Sequence, residues 1–165
     1  MRKRELPRDS FLTSADAQEV IDVLAPSINA ALAAWGKRQH LAIVIHDPTD
    51  PNSMLLEHGI GNPADWEHDY MKIAHAKAAL CARHGCDSAD VIDVTPFLLQ
   101  EGDVVFPGGI NRSGLVVACS GVQGYYDVMF AEWIAAALLA VARDGMDFVK
   151  QSGISFIGEG TEAHG

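Results

Sequence analysis

The chain has 165 residues, of which 48% are hydrophobic and 21% charged, a size and composition typical of one globular domain. No apolar run reaches the roughly 18 residues that a membrane span needs, and the basic start lacks the apolar core of a secretory signal. A formal net charge of −10 disfavours a nucleic-acid partner, because phosphate contacts require clustered lysine and arginine. We therefore expect a cytoplasmic protein that binds neither membrane nor nucleic acid.

The first predicted elements are a helix and two strands. Thr13 offers an N-cap, and apolar residues then recur at helical spacing to about Lys37. Pro26 lies inside this helix and removes a backbone donor, so a kink or break is expected. The apolar run 41–46 is typical of a buried strand, and 53–59 would return antiparallel to it.

Two more helices are predicted further along. An alanine-rich helix over 64–84 ends at Gly85, and its small side chains would let it lie close against a sheet. Beyond it, 91–94 is either a short strand or a turn, and 96–99 opens one helical turn. The last helix, 127–143, has an apolar face wide enough to predict burial on more than one side.

Between these helices, the stretch 102–121 is predicted to be a β-hairpin at the centre of the sheet. Two β-branched runs, 104–106 and 115–117, flank a Gly-Gly and an Asn-Arg-Ser-Gly segment that can turn the chain. Its glycines are either sites where backbone approaches a ligand closely or only turn and strand-end residues. They are Gly108, Gly109 and Gly121.

The order helix, two strands, helix, hairpin, helix predicts an α+β domain with an antiparallel sheet covered by helices. We place this domain at 14–145. A basic arm, 1–13, would precede it as a solvated segment or a clamp onto another subunit. A glycine-rich, acidic tail, 146–165, would follow and be mobile or packed on a partner, apart from a small apolar patch at 154–157.

The seven histidines suggest a metal or haem ligand, since neutral imidazole binds both. His68 and His75 lie two helical turns apart, about 10 Å along the axis, which is too far to share one metal ion. His75 alone is either an axial ligand of haem or a surface or packing residue. No HExxH or CxxC motif indicates a metal site.

Lys77 lies among alanines on the predicted central helix, where an unpaired charge would cost free energy. Two interpretations stay open: it binds an anionic ligand such as a propionate or an organic acid, or it forms a buried pair with Asp127 or Glu132. Nucleophilic catalysis is unsupported, because no cysteine has a basic neighbour in sequence. The cysteines are Cys81, Cys86 and Cys119, an odd number that also disfavours a disulfide framework or a structural zinc site.

The segment Ile73-Ala74-His75-Ala76-Lys77-Ala78, together with Ser120-Gly121 and Asp127, resembles the GlcG/HbpS family, also called the haem-degrading domain family. That family has an I-A-x-x-K-A segment on its central helix, a Gly-Gly-x-Pro strand, a strand ending in Ser-Gly, and an acidic residue opening its last helix. The resemblance covers roughly residues 14 to 145.

The hairpin departs from the family pattern, and two registers stay open. Gly108-Gly109 matches the family's glycine pair but stands several residues too close to Ser120-Gly121. Counting back from Ser120-Gly121 instead makes Phe106-Pro107 the strand proline. In either register the ligand-facing part of the hairpin is altered.

The resemblance implies α/β/α layers of the profilin-like or PAS-like kind, with about five strands and three main helices, assembled into homo-oligomers. It implies a protein that binds haem or a small organic acid in oxidative catabolism, without defined catalytic residues. The hypothetical site has Lys77 and His75 facing backbone around Phe106, Pro107, Gly108, Gly109 and Gly121. Two alternatives stay open: a non-catalytic subunit of a larger oxidative or aromatic-degrading enzyme, and an enzyme acting on a small catabolic metabolite.

Overall fold

A computed structural model describes residues 10–50 and 52–159. Residues 1–9 of the predicted arm, His164 and the end of the predicted tail lie outside this part of the chain. Two short 3-10 turns, Pro63–Asp65 and Pro96–Leu98, accompany the main elements. These elements are α1 (Ser14–Trp35), β1 (Leu41–His46), β2 (Met54–Ile60), α2 (Tyr70–His84), α3 (Ser88–Asp93), β3 (Gly109–Arg112), β4 (Leu115–Ser120) and α4 (Gly124–Gln151).

The four strands form one antiparallel sheet in the order β2-β1-β4-β3. The two central strands pair from Ala42 opposite Ser120 to Ile45 opposite Val117. Their side chains alternate between the two faces of the sheet, as the period of a strand requires. One face packs against α1 and α4, and the other against α2. The predicted α+β fold with α/β/α layers is therefore confirmed, with four strands where about five were expected.

The predicted hairpin exists, but its first strand was placed wrongly. The turn lies at Ser113 and Gly114, which both have positive φ angles, 54° and 91°, and it joins β3 to β4. The run 104–106 forms no strand. Asp103 draws that segment away from the sheet, because its carboxylate accepts hydrogen bonds from the Arg83 guanidinium (2.5 Å) and the Gln100 amide (2.9 Å). Consequently β4 is central, whereas β3 is an edge strand.

Helix boundaries follow local capping signals. The Thr13 hydroxyl accepts from the Asp16 amide and the Asp16 carboxylate accepts from the Thr13 amide, a capping box that starts α1 as predicted. The helix then continues through Pro26 without a break. The second helix starts later than predicted, at Asp69, whose carboxylate accepts from the Lys72 amide (3.0 Å). It ends at Gly85, which has a φ of 66°.

The segment that the sequence left ambiguous and the end of the last helix are mostly helical. The ambiguous segment 91–94 belongs mostly to the helix α3, and 96–98 forms the expected helical turn. The last helix extends beyond 127–143 at both ends, so 146–151 is helical rather than part of a loose tail. The residues after Arg143 include the weak helix formers Asp144, Gly145 and Asp147, so the added length depends on packing, as at Val149, which is buried.

The last helix, α4, is long and apolar enough by length and composition to cross a membrane, with a mean hydropathy of 1.4 in its most apolar window. Its buried residues nevertheless recur at helical spacing on the side that faces the sheet and α1. They include Phe130, Ala131, Ile134, Ala135 and Leu138. This is the pattern of a helix that packs one face against a core. Location in the cytoplasm stays a prediction.

Candidate functional site

Lys77 and Asp127 form an ion pair that is almost completely buried between α2 and the start of α4. The Lys77 side chain is 1% exposed and that of Asp127 4%. The ammonium Nζ donates to Asp127 Oδ2 at 3.0 Å and to the Cys119 carbonyl of β4 at 2.8 Å. Of the two predicted partners, Asp127 is therefore the one that pairs with Lys77. Glu132 instead accepts from Arg112 at 2.8 Å.

Asp127 lies in the first turn of α4, where a negative charge is favoured by the helix dipole. Its second oxygen, Oδ1, accepts from the Val122 amide at 3.3 Å. Burial raises the pKa of Asp127 to about 6, although the Lys77 ammonium and the backbone N–H groups act in the opposite direction. The Asp127 carboxyl group therefore changes from neutral to charged at about pH 6 instead of at its usual, more acidic pH.

The three glycines predicted at the site pack closely against the protein itself, and one of them, Gly121, also lines a cavity. At Gly108, with a φ of 142°, an added Cβ would lie 2.5 Å from Lys77 Nζ and 2.6 Å from the Cys119 carbonyl. At Gly109 it would lie 2.6 Å from Cys81 Sγ, and at Gly121 it would overlap the His40 carbonyl. These positions therefore require glycine so that backbone can pack against Lys77 and β1.

A cavity of about 630 Å³ adjoins the Lys77–Asp127 pair. It lies between α2, the loop before β3, the end of β4 and the first turn of α4. Four of the predicted site residues line it: Lys77, Phe106, Pro107 and Gly121. Three others, His75, Gly108 and Gly109, are not among its lining residues in the part of the chain that the structure describes.

His75 lies on another side of α2. Its Nε2 pairs with Glu57 of β2, and its side chain is 33% exposed. Burial, followed by the nearby His75, lowers the pKa of His46. Across residues 10–50 and 52–159, no group of three or more histidine, cysteine, aspartate or glutamate side chains could hold a metal ion. Lys77 and His75 are thus separated, although the sequence hypothesis placed them in one site.

Further residues that the sequence hypothesis had not assigned to the site line the cavity, among them Arg38, His68 and Tyr70. Tyr70 is buried, and its hydroxyl has no hydrogen-bond partner among the described residues. The Arg38 guanidinium lies 5.9 Å from the centre of the Tyr70 ring and pairs with Glu67 at 3.2 Å. His68 also lines the cavity. Arg38 comes from the α1–β1 connection, and no local sequence signal links it to α2.

The thiols near the site are poor nucleophiles. Burial raises the pKa of Cys81 to about 12 and that of Cys119 well above its usual range. Both thiols therefore stay protonated at neutral pH, and protonated thiols are weak nucleophiles. The geometry accordingly favours a binding site with a charged floor over a site for covalent chemistry.

Comparison with known proteins gives the fold. No protein-family model matches the sequence, and no curated protein sequence matches it. The Klebsiella pneumoniae protein ORFY, described with the family model DUF336, superposes with a TM-score of 0.59 at 16% identity, covering 85% of this chain and 97% of that one. A double mutant of Streptomyces reticuli HbpS gives 0.56 at 20% identity, covering 84% and 94%.

The Ybr137w protein is a third similar structure, with a TM-score of 0.55 at 17% identity over 77% of this chain and 78% of that one. The chain therefore has the fold of the GlcG/HbpS-like proteins, as the sequence resemblance predicted. Because the identities are low, the likeness extends to the fold alone.

Proposed function

We propose that this protein binds a small organic acid in the cavity beside Lys77 and Asp127. One observation carries the proposal: a buried ion pair lies in the wall of a cavity of about 630 Å³. Buried ion pairs rarely stabilise a fold more than apolar residues of the same shape would, because desolvation offsets their attraction. A buried pair at a cavity wall is therefore better explained by a ligand than by stability.

The other lining residues suit a ligand with an apolar or aromatic body. Ile73, Pro107 and Val128 supply apolar surface, and Phe106 and Tyr125 supply exposed rings that a flat molecule could stack on. The volume lies within the range of about 300–1,000 Å³ that is usual for small-molecule sites. An aromatic or alicyclic carboxylate fits this combination of apolar walls and a floor that contains the Lys77 ammonium within a neutral ion pair.

Haem is the second candidate ligand, suggested by the resemblance. The cavity is lined by one histidine, His68, whereas the predicted axial ligand His75 is paired with Glu57 outside it. Haem ligated by His75 therefore does not fit this cavity, and we place haem after an organic acid. Assembly into homo-oligomers, a role as a subunit of a larger oxidative enzyme, and turnover of a catabolic metabolite remain further proposals.

A binding titration with 2-naphthoate tests the proposal, because this probe joins a flat aromatic body to one carboxylate. Ile73→Trp fills the cavity from α2, whereas Ile92→Trp places the same bulk at a half-buried position on α3 that is not among the cavity-lining residues. We expect saturable binding to the wild type, weakening of at least about tenfold in Ile73→Trp, and unchanged affinity in Ile92→Trp. A haemin titration of the same proteins, followed by absorption spectroscopy, compares the affinity for haem with that for 2-naphthoate.

Two results would overturn the proposal. One is the absence of saturable 2-naphthoate binding to the folded wild type. The other is equal weakening in both tryptophan variants, which would locate the probe elsewhere. Circular dichroism of both variants establishes that the comparison is made between folded proteins.

A further inference from the structure

We propose that the bound carboxylate is held by Lys77 and that its binding is coupled to the uptake of one proton by Asp127. The inference rests on the proposed function and specifies the ligand class: an organic acid that enters as an anion and binds more weakly as the pH rises. It also assigns separate tasks to the two members of the ion pair, since Lys77 would contact the ligand and Asp127 would adjust the charge.

Lys77 has more hydrogen-bond donors than it has acceptors among the described residues. An ammonium group has three N–H donors. Within residues 10–50 and 52–159, Nζ has two acceptors, Asp127 Oδ2 and the Cys119 carbonyl. Lys77 also lines the cavity. The third donor has no acceptor among the described residues, and we assign it to an oxygen atom of the ligand.

An anion that binds beside Lys77 would change the charge balance of the buried pair. The buried pair is electrically neutral, and both side chains are almost fully shielded from water. A ligand carboxylate at Lys77 would place two carboxylates beside one ammonium in a poorly solvated site, and such neighbours cannot both ionise without a large cost. Arg38 reduces this cost only partly, because Glu67 already neutralises it. Uptake of one proton from solvent restores neutrality.

The proton must bind to one of the groups beside the ligand. The groups that face Asp127 are the Lys77 ammonium, the Cys119 thiol, and the backbone N–H groups of Gly121 and Val122. Burial already raises the pKa of Asp127 to about 6 before any ligand is added. The Cys119 thiol is protonated throughout, because its pKa is far above neutral. Asp127 is thus the acceptor, and its new O–H can donate to the ligand carboxylate.

The coupling predicts a definite pH dependence. If ionised Asp127 must take up a proton, affinity falls tenfold per pH unit once the pH exceeds about 6. Between pH 6 and pH 8 we expect a weakening of about 50-fold, since half of the Asp127 groups are already protonated at pH 6. The neutral isostere 2-naphthamide adds no charge, so its binding should take up no proton.

Isothermal titration calorimetry of wild-type protein with 2-naphthoate measures the proton directly. Titrations at one pH in two buffers of different ionisation enthalpy give the number of protons taken up per ligand. We expect about one proton at pH 8 and about half a proton at pH 6. Binding without proton uptake at pH 8 would overturn the inference and leave the proposed function standing. Absence of binding would overturn both.

Two variants identify the group that takes up the proton. Asp127→Asn imitates the protonated carboxyl group, so its affinity for 2-naphthoate should not change between pH 6 and pH 8. His68→Gln is the matched control, because His68 is the histidine among the cavity-lining residues that the structure describes. It should keep the proton uptake of the wild type. If His68→Gln loses the uptake, the inference is wrong. The wild-type calorimetry decides the matter even if Asp127→Asn does not fold.

Discussion

Two ion pairs on α2 lie two positions apart and differ in almost every physical respect. The Lys77–Asp127 pair is buried against the sheet and α4, and its cation has a second partner in the Cys119 carbonyl. The His75–Glu57 pair lies at the β2 side, where the two side chains are 33% and 48% exposed. One helix thus carries one polar pair inside the domain and another at its surface.

The difference follows from helix geometry. Each residue turns an α-helix by about 100°, so residues two positions apart point about 200° away from each other. Since Ala74, Ala78 and Cys81 face the sheet with Lys77, His75 lies at the opposite edge of this face, where it reaches Glu57 of β2. Surface pairs contribute little to stability, whereas loss of one partner of a buried pair leaves a charge uncompensated. Because it is buried, the Lys77–Asp127 pair should therefore affect the stability of the fold and the cavity wall more than the His75–Glu57 pair does.

The largest expected effect is that of Lys77→Met. This substitution keeps the length and apolar volume of the side chain but leaves Asp127 buried without its cation. We expect the free energy of unfolding at pH 8 to fall by about 3–5 kcal/mol, measured by urea denaturation. The loss should be smaller at pH 5, because loss of the lysine raises the pKa of Asp127 further and the carboxyl group is then neutral.

The double variant Lys77→Met with Asp127→Asn is the control for this prediction. It removes both charges together, so it should recover much of the stability at pH 8 and show little dependence on pH. A loss below about 1 kcal/mol in Lys77→Met at pH 8 would show that the pair behaves like an exposed one.

The sequence predicted the fold better than the site, for physical reasons. Hydrophobic period and capping residues act locally, so β1, the Thr13 cap and the Gly85 cap were correctly predicted. The run 104–106 failed because its β propensity is overridden by contacts of Asp103 with Arg83, which lies distant in the chain. Arg38 could not be assigned to the cavity for the same reason: its proximity to Tyr70 arises only in the folded chain.

An intermediate effect is expected for Gly108→Ala, which tests how tightly backbone packs on the Lys77 side. Its φ of 142° is rarely adopted by other residues, and the new Cβ would overlap Lys77 Nζ and the Cys119 carbonyl. We expect the free energy of unfolding to fall by about 1–3 kcal/mol from backbone strain, with a further loss from the overlap. Affinity for 2-naphthoate should fall as well, because Lys77 must shift.

Gly102→Ala is the matched control for Gly108→Ala. Gly102 also has a positive φ, 91°, but an added Cβ there meets nothing within 4 Å. Gly102→Ala should therefore lower the free energy of unfolding only through the strained backbone conformation, by about 1–2 kcal/mol. It should leave the affinity for 2-naphthoate unchanged. Equal losses of stability and affinity in the two variants would contradict the close packing of Gly108 against Lys77.

The smallest effect is expected for His75→Gln. Glutamine removes the imidazole ring but can still hydrogen-bond to Glu57, and the pair is exposed, so the free energy of unfolding should change by less than about 1 kcal/mol. Because His75 lies outside the cavity lining, affinity for 2-naphthoate should stay at the wild-type value. A haemin titration completes the comparison: a Soret shift that the wild type shows and His75→Gln loses would make His75 an axial ligand. Haem would then bind at the β2 side of α2, in a site separate from the Lys77 cavity, since one ring cannot face both sides of the helix.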